Sequence, residues 1–183
     1  MGGNGGNGGV RGGLVVRAAT ARDQPSVFAL NNASTPHVNA LTEAQFAWLA
    51  SECDYYRVAE AGGAVAGVVM AIRNGTAYWS DNYAWFGARY AEFIYLDRVI
   101  VAPDARREGI GRALYADLIE FATGRWPRIT LEVNVRPPNP GSIVFHERMG
   151  FQRVGTRSYA EGEVAMFERT LGVTPPLRPQ ASP

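Results

Sequence analysis

The sequence predicts a mixed α/β domain. The first observation is a strand–helix–strand order between residues 93 and 135, in which an amphipathic helix joins two apolar strands. This order implies a parallel pair of strands with a crossover helix. The second observation is a glycine pair, Gly62 and Gly63, between two strand-like runs, which is typical of an antiparallel hairpin. Together the two patterns indicate a mixed sheet covered by helices.

The length and composition suit one domain with two tails. The chain has 183 residues, of which 46% are apolar and 19% are charged, an ordinary globular mix. The glycine- and asparagine-rich residues 1–13 predict a disordered tail, and the proline-rich residues 172–183 predict a flexible one. The folded domain is expected to span residues 14–171.

The same totals disfavour several classes of protein. A formal net charge of +1 argues against nucleic-acid binding driven by bulk positive charge. No apolar run approaches the roughly 18 residues that suggest a membrane span, and the N-terminus lacks the pattern of a secretory signal. Cys53 is the only cysteine, so no internal disulfide can form and a cytoplasmic location is expected. With His37 and His146 as the only histidines, no metal site is expected.

Capping signals predict the N-terminal elements. Residues 14–19 favour a short strand, and Thr20 with Asp23 resembles a capping box at the start of a helix. Thr42 and Gln45 repeat this signal before a second helix.

The middle of the chain contains the most apolar strand. Two strand-like runs flank the glycine pair, and residues 74–89 show no clear period. Residues 91–103 then predict a strongly apolar strand in which Asp97 is conspicuous and which ends at Pro103.

The C-terminal half alternates between helical and strand patterns. Apolar residues at helical spacing predict a helix within residues 109–124, which Gly124 can close. Residues 128–135 favour a strand, residues 142–149 a short helix, and residues 151–171 two final strands.

The stretch "PDARREGIGRAL" combines glycine, positive charge and a helix start. The first N–H groups of a helix lack partners within it, and the helix dipole adds partial positive charge, so an anion fits there. Gly109 and Gly111 would let a phosphate approach the backbone, and Arg106, Arg107 and Arg112 add charged donors. This predicts a pyrophosphate site, although the glycines alone also suit a plain tight start of a helix.

Two common nucleotide motifs do not match this stretch. A P-loop would have Lys and then Ser or Thr after its second glycine, and neither stands there. A dinucleotide fold would place a longer glycine pattern early in the chain. Nucleotide binding is therefore only weakly supported.

The surroundings of the glycines resemble the signature of the GNAT superfamily of N-acetyltransferases. The core motif of that family, Q/R-x-x-G-x-G/A, is met by Arg106, Gly109 and Gly111, after a V-x-V-x-P run that ends at Pro103. A second family motif is similar to "NPGSIVFHERMGF", which begins at Asn139. The resemblance implies a mainly antiparallel central sheet with a parallel, splayed strand pair and flanking helices.

The resemblance also implies acetyl-CoA as co-substrate, without a metal. The backbone of the strand before the core motif would pair with the pantetheine arm, the N–H groups of the motif would hold the pyrophosphate, and the asparagine of the second motif would lie near the arm. The implied cofactor-binding residues are Val99, Ile100, Val101, Arg106, Arg107, Gly109, Ile110, Gly111, Arg112 and Asn139.

The implied activity is transfer of an acetyl group to a primary amine by direct attack in a ternary complex. The acceptor would be an amino acid, a peptide N-terminus or a small amine, and a homodimer is compatible with the resemblance. The alternative is a non-catalytic acyl-CoA-binding or sensing module.

Two residues are predicted to move protons. Asp97 is the expected general base, because its apolar neighbours would raise its pKa, although it could instead pair with Arg98 or bind the substrate ammonium. Where the family commonly has a tyrosine, this chain has His146, which is the expected general acid. The alternative for His146 is packing against the cofactor while water supplies the proton. Tyr115 and Tyr159 are more distant candidates.

An aromatic-rich segment, residues 78–95, predicts either core packing or a wall of the acceptor site. Its acidic residue could hold a cationic amine, or only cap a turn. The expected acceptor-binding residues are Asp81, Asn82, Tyr83, Trp85 and Tyr95.

Overall fold

The computed structural model describes residues 13–35, 38–160 and 162–172. The two predicted tails, apart from Gly13 and Gly172, lie outside the described residues, as does His37. The strands are β1 (Val15–Ala18), β2 (Tyr55–Ala61), β3 (Ala64–Arg73), β4 (Ile94–Val101), β5 (Arg128–Arg136), β6 (Gln152–Tyr159) and β7 (Gly162–Thr170). The helices are α1 (Gln24–Ala33), α2 (Glu43–Glu52), α3 (Asp81–Gly87), α4 (Ile110–Ala122) and α5 (Pro140–Arg148).

The seven strands form one mixed sheet in the order β1-β2-β3-β4-β5-β7-β6. Neighbouring strands run antiparallel throughout, except for β4 and β5, which are parallel and joined by α4. The predicted fold class, a mainly antiparallel mixed sheet with one parallel pair and flanking helices, is confirmed.

The parallel pair separates soon after it begins. Only two residue pairs join the strands, Ile94 with Ile129 and Tyr95 with Thr130. Beyond them β4 continues to Val101 and β5 to Arg136 without pairing to each other. The sheet is therefore open along a V-shaped gap at its centre.

Each face of the sheet is covered by its own core. Apolar residues of α4, including Leu114 and Leu118, are buried on one face, and α5 packs against the same cluster. Residues of the first three helices, such as Leu49 and Phe86, are buried on the other. We call these the α4–α5 face and the α1–α3 face. The gap between β4 and β5 is an opening through the sheet that connects the two faces.

A glycine on β3 allows α4 to lie close to the sheet. A Cβ atom at Gly67 would lie 2.9 Å from Ile110 Cγ2 and 3.1 Å from the carbonyl oxygen of Ile100. These distances are below normal van der Waals contact, so only glycine fits there without displacement. This close packing fixes the N-terminus of α4 beside the end of β4.

Local signals in the sequence explain most of the elements. The Thr20–Asp23 capping box forms before a short 3-10 turn that leads into α1, and the Thr42–Gln45 box caps α2. The glycine pair of the β2–β3 hairpin has positive φ angles of 60° and 80°, as a tight hairpin turn requires. The sequence pattern did not predict α3, whose seven residues are too few to show a period.

Candidate active site

A β-bulge on β4 redirects the side chains that border the gap. Met70 of β3 pairs with Arg98 and the next residue, Ala71, pairs with Leu96, so Asp97 is an extra residue with no partner in the register. Before the bulge Ile94 and Leu96 face the α4–α5 side, and after it Val99 and Val101 do. The bulge therefore places Asp97 and Arg98 together on the α1–α3 face.

A cavity of about 890 Å³ occupies the gap and reaches both faces of the sheet. On the α4–α5 face it is lined by Tyr115 and His146, and on the α1–α3 face by Leu41, Gln45 and Tyr78. Residues of both separated strands form the walls between them. Two reactants that enter from opposite faces can therefore meet inside the sheet.

Asp97 lies on the α1–α3 side of this cavity and is almost completely buried. Its Oδ1 atom accepts a hydrogen bond of 2.5 Å from the Tyr78 hydroxyl. Its Oδ2 atom lies 3.0 Å from Nε of Arg98, but without the alignment of a hydrogen bond. Burial raises the pKa of Asp97, and the nearby Arg98 charge partly opposes the shift. The structure thus combines two of the predicted settings for Asp97, an apolar environment and an arginine partner.

Arg98 connects Asp97 to the first helices. Its Nη1 atom donates to Oδ1 of Asn31, at 2.7 Å, and to the carbonyl oxygen of Asn39, at 2.9 Å. Only 7% of its side chain is exposed. These contacts hold the guanidinium in the wall of the cavity and anchor the segment after α1.

Glu132 of β5 is a second carboxylate in the same cavity. It faces the α1–α3 side, because its neighbours Leu131 and Val133 belong to the core on the α4–α5 face. The Tyr95 hydroxyl donates a hydrogen bond of 2.6 Å to Oε2 of Glu132. Burial raises the pKa of Glu132 to about 7, hydrogen bonding from Tyr95 and Asn82 limits the rise, and the Asp97 charge adds to it. A carboxylate with this pKa can accept a proton near neutral pH.

The edge of β4 that borders the gap offers main-chain hydrogen bonds. Val99, Ile100 and Val101 pair with β3 on one side, and β5 has already diverged on the other. Alternate N–H and C=O groups of a strand point to opposite sides. Half of the main-chain groups in this run therefore face the gap, where an extended, amide-containing chain can add as a further strand.

The turn before α4 has the backbone shape of an anion site. Arg107 has a φ of 69° and Gly109 a φ of 83°, and left-handed residues within such a turn aim successive N–H groups into one concavity. The side chain of Ile110 is buried in the core, so only its backbone can contact a ligand. No Cβ contact below 3.8 Å would arise at Gly111. The side chains of Arg106, Arg107 and Arg112 are exposed around the turn.

A smaller cavity of about 250 Å³ links this turn to the gap. It is lined by Val99, Ile100, Arg106 and Asn139, together with residues that follow α1. Asn139 caps α5 by accepting a hydrogen bond from the backbone of Ser142, and it also lines the larger cavity. Four of the predicted cofactor residues thus line one cavity beside the turn, and this set of donors suits an extended diphosphate-bearing ligand such as acetyl-CoA.

His146 is fixed by two hydrogen bonds on the α4–α5 face. Its Nδ1 atom lies 2.7 Å from the carbonyl oxygen of Ser142, which can only accept, so this nitrogen carries the proton. Nε2 then accepts a hydrogen bond of 2.5 Å from the Tyr115 hydroxyl. Burial lowers the pKa of His146, and the residue is held in its neutral form.

The predicted acceptor residues divide into two groups. Asp81, Asn82 and Tyr95 line the cavity. Tyr83 is buried, and its hydroxyl donates to the carbonyl oxygen of Arg73, while Trp85 packs over Gly155 of β6. These two aromatic residues are not among those that line the cavity; they hold α3 against the sheet.

The structure adds two charged cavity residues that the sequence did not single out, Glu132 and Arg157. Tyr78, from the aromatic segment, and Arg98, considered only as a partner of Asp97, also line the cavity. Glu132 could have been recognised from the sequence, because it is an acidic residue inside an apolar strand that follows the predicted crossover helix. Arg157 stands in a polar stretch of β6 and carries no comparable signal.

Comparison with known proteins gives a consistent result. Residues 24–151 match the sequence model of the family described as the acetyltransferase (GNAT) family. An uncharacterized N-acetyltransferase of Methanocaldococcus jannaschii is 32% identical over 125 residues, which are 68% of this chain and 50% of that protein. The chain therefore spans about half the length of this curated relative.

Two solved structures share the fold. The ribosomal-protein-S18-alanine N-acetyltransferase of Escherichia coli superposes with a TM-score of 0.70 at 18% identity, covering 91% of this chain and 99% of that one. Arabidopsis thaliana Naa50, in complex with the bisubstrate analogue CoA-Ac-MVNAL, superposes with a TM-score of 0.68 at 14% identity, covering 86% and 99%. Among the described residues of this chain, no helix has the length and apolar character needed to cross a membrane.

Proposed function

The chain belongs to the acetyltransferase (GNAT) family, and from that premise we propose that it transfers the acetyl group of acetyl-CoA to a primary amine. One observation carries the proposal. A single cavity passes through the sheet, with two carboxylates on the α1–α3 face, and it adjoins the open edge of β4, where the predicted cofactor residues begin. An amine and a thioester brought together from opposite faces would react in one complex, without a covalent enzyme intermediate.

The cofactor path assigns roles to the residues before α4. The turn from Arg107 to Arg112 would hold the pyrophosphate through backbone N–H groups, and the exposed arginines would add charge-assisted hydrogen bonds. The open edge of β4 would pair with the pantetheine arm. Bound in this way, acetyl-CoA supplies an activated acyl group beside the bulge.

We assign the proton-accepting role first to Glu132. Its pKa of about 7 leaves a large ionised fraction at neutral pH. The carboxylate is still basic enough to remove a proton from the substrate ammonium, either directly or through a bridging water. Asp97 is held by Tyr78 and lies against Arg98, which suits orienting the amine rather than cycling its proton. In this proposal the role of general base, which the sequence led us to expect for Asp97, passes to Glu132 across the gap.

Two further steps concern the negative charge on the acyl oxygen and the proton that the departing thiolate takes up. A main-chain N–H of the Val99–Val101 run would stabilise negative charge on the acyl oxygen. His146 in its neutral form has its only N–H bonded to Ser142, so it has no proton to offer the thiolate. We infer that His146 positions Tyr115 and that water supplies this proton.

A peptide or protein N-terminus is the acceptor class that the relatives favour. The Escherichia coli structure is of an enzyme named for a ribosomal-protein alanine, and the Arabidopsis thaliana structure holds a peptide-containing bisubstrate analogue. The cavity of this chain opens beside Trp79 and Tyr159, which are 48% and 37% exposed. Exposed aromatic rings at a cavity mouth suit contact with an extended peptide.

The test is acetyl transfer by the purified chain to a panel of free amino acids, peptides with free N-termini and small amines. Release of free CoA and the mass of the product would both be followed. The chain contains no lysine, so acetylation of its own ε-amines cannot contribute to the signal. Transfer to at least one class supports the proposal, whereas CoA binding without transfer to any of them would favour an acyl-CoA-binding module.

A further inference from the structure

Arg157 of β6 lines the cavity near Glu132. Its Nη2 atom lies 2.6 Å from Oδ2 of Asp81, and its Nη1 atom donates to Oδ1 of Asn82 at 3.1 Å. Asn82 lines the same cavity and is one of the groups that limit the rise in the pKa of Glu132. The guanidinium thus shares the cavity with the candidate base.

Two arginines line the cavity, and they differ in what they can bind. Arg98 is buried and committed to Asn31, the backbone of Asn39 and the neighbouring Asp97. Arg157 keeps 26% of its side chain exposed. A guanidinium has five N–H donors in a planar fork, and the two contacts of Arg157 leave others available within the cavity.

The present partner of Arg157 shows the chemistry that it binds. The Asp81 carboxylate meets the guanidinium at hydrogen-bond distance, although 77% of the Asp81 side chain is exposed. An ion pair to so exposed a carboxylate is screened and contributes little stability. Another carboxylate that reaches the same N–H groups from inside the cavity can share or take the place of Asp81.

We propose that Arg157 binds a carboxylate of the acceptor, so that the favoured acceptors carry a carboxylate within a few bonds of the reacting amine. This inference rests on the proposed acetyl transfer and names the substrate class of the same site. The amine would lie between Glu132 and Asp97, and the carboxylate would lie against Arg157. The α-carboxylate of a free amino acid and the side chain of an acidic N-terminal residue share this chemistry.

Two pairs of acceptors separate those sources. The first pair is alanine and alaninamide, which differ in the α-carboxylate. The second pair is the dipeptide amides aspartyl-alaninamide and asparaginyl-alaninamide, which differ in the side-chain carboxylate. For each pair, kcat/KM is measured with the full chain, and the ratio of acid to amide is compared between wild type and Arg157→Gln. Comparing ratios cancels the different nucleophilicities of the two amines.

For at least one pair, we expect Arg157→Gln to lower the acid-to-amide ratio by about tenfold or more, since a hydrogen-bonded charge pair is lost. The neutral acceptors should change by less than about threefold. Asp81→Asn should raise the ratio, because a competing carboxylate is removed. Arg153→Gln is the matched control, because Arg153 is an exposed arginine on the same strand and donates a hydrogen bond to Thr156. The acid-to-amide ratio of this variant should equal that of wild type.

A purely structural role for Arg157, bracing β6 against α3, predicts a different result. All four acceptors would then lose activity together in Arg157→Gln, with an unchanged ratio, and this would overturn the inference. If Arg157→Gln unfolds, Arg157→Met is used instead, because it keeps much of the apolar stem without the charge; an unchanged ratio there has the same meaning. Absence of acetylation of every acceptor would contradict the proposed function, whereas acetylation with equal ratios would contradict only this inference.

Discussion

Replacement of Glu132 by glutamine removes the candidate base while keeping the size and the hydrogen-bonding shape of the side chain. With a pKa of about 7, half of this carboxylate is ionised at pH 7 and about 1% at pH 5. The wild-type kcat/KM should therefore fall about 50-fold between these values. At the ordinary pKa of 4.5, about three quarters would remain ionised at pH 5, and the profile would be nearly flat.

The Glu132→Gln variant should lose about 100- to 10,000-fold in kcat/KM, the range that a positioned base supplies. Its residual activity should lack the inflection near pH 7. The assay is a continuous thiol-release measurement between pH 5 and pH 9. Ionisation of the acceptor amine also affects such profiles, so two acceptors with different amine pKa values are compared; the Glu132 inflection should stay at the same pH for both.

Folding stability provides a second readout that needs no catalysis. Because the pKa of Glu132 is raised on folding, the native state binds more protons than the unfolded chain between about pH 4.5 and pH 7. This contribution is therefore fully present below pH 4.5 and is lost as the pH rises to 7, by about 1–3 kcal/mol. Glu132→Gln should abolish this decline in denaturant titrations. A difference in unfolding free energy between wild type and Glu132→Gln that stays constant from pH 5 to pH 7 would refute the reasoning. So would a variant whose kcat/KM lies within about tenfold of wild type and shows the same inflection.

Three further predictions concern individual contacts. Tyr95→Phe removes a hydrogen bond that favours ionised Glu132, so the inflection in the pH profile of kcat/KM should move to higher pH; an inflection at the same or lower pH would contradict this. Gly67→Ala should lower the free energy of unfolding by about 1–3 kcal/mol, measured by urea titration, because its Cβ would meet α4 and the backbone of β4; Gly87→Ala, which has open space, is the control and should change little. His146→Phe should reduce turnover by less than about tenfold and leave the alkaline side of the pH profile unchanged, since the neutral imidazole donates no proton to the thiolate; a larger loss together with a shifted alkaline limb would restore the general-acid role.

The sequence was sufficient to predict elements whose signals are local. Capping residues, the glycine pair of the hairpin and the apolar spacing of α4 each act within a few positions, so they can be recognised without the fold. The seven-residue α3 could not be predicted in this way. It is held by Trp85 packed over Gly155 and by Tyr83 bonded to Arg73, contacts between segments that are distant in the chain.

The candidate site was predictable on its cofactor side and less so on its acceptor side. The turn that we propose binds the pyrophosphate is one continuous stretch, whereas the proposed acceptor side joins α3, β4, β5 and β6. The bulge at Asp97 left a trace in the sequence, because the apolar alternation of β4 changes phase there, from Ile94 and Leu96 to Val99 and Val101. The pairing of Tyr95 with Glu132, and of Arg157 with Asp81, depends on strand order, which no local pattern encodes.

The central claim is that one cavity holds the cofactor and the acceptor amine at the same time. Its most direct test is isothermal titration of the chain with a conjugate in which the acetyl group of acetyl-CoA is joined to a peptide N-terminus, compared with CoA alone and with the acetylated peptide alone. If both halves occupy one continuous site, the conjugate should bind at least about 100-fold more tightly than CoA. A conjugate that binds no more tightly than CoA would contradict the account.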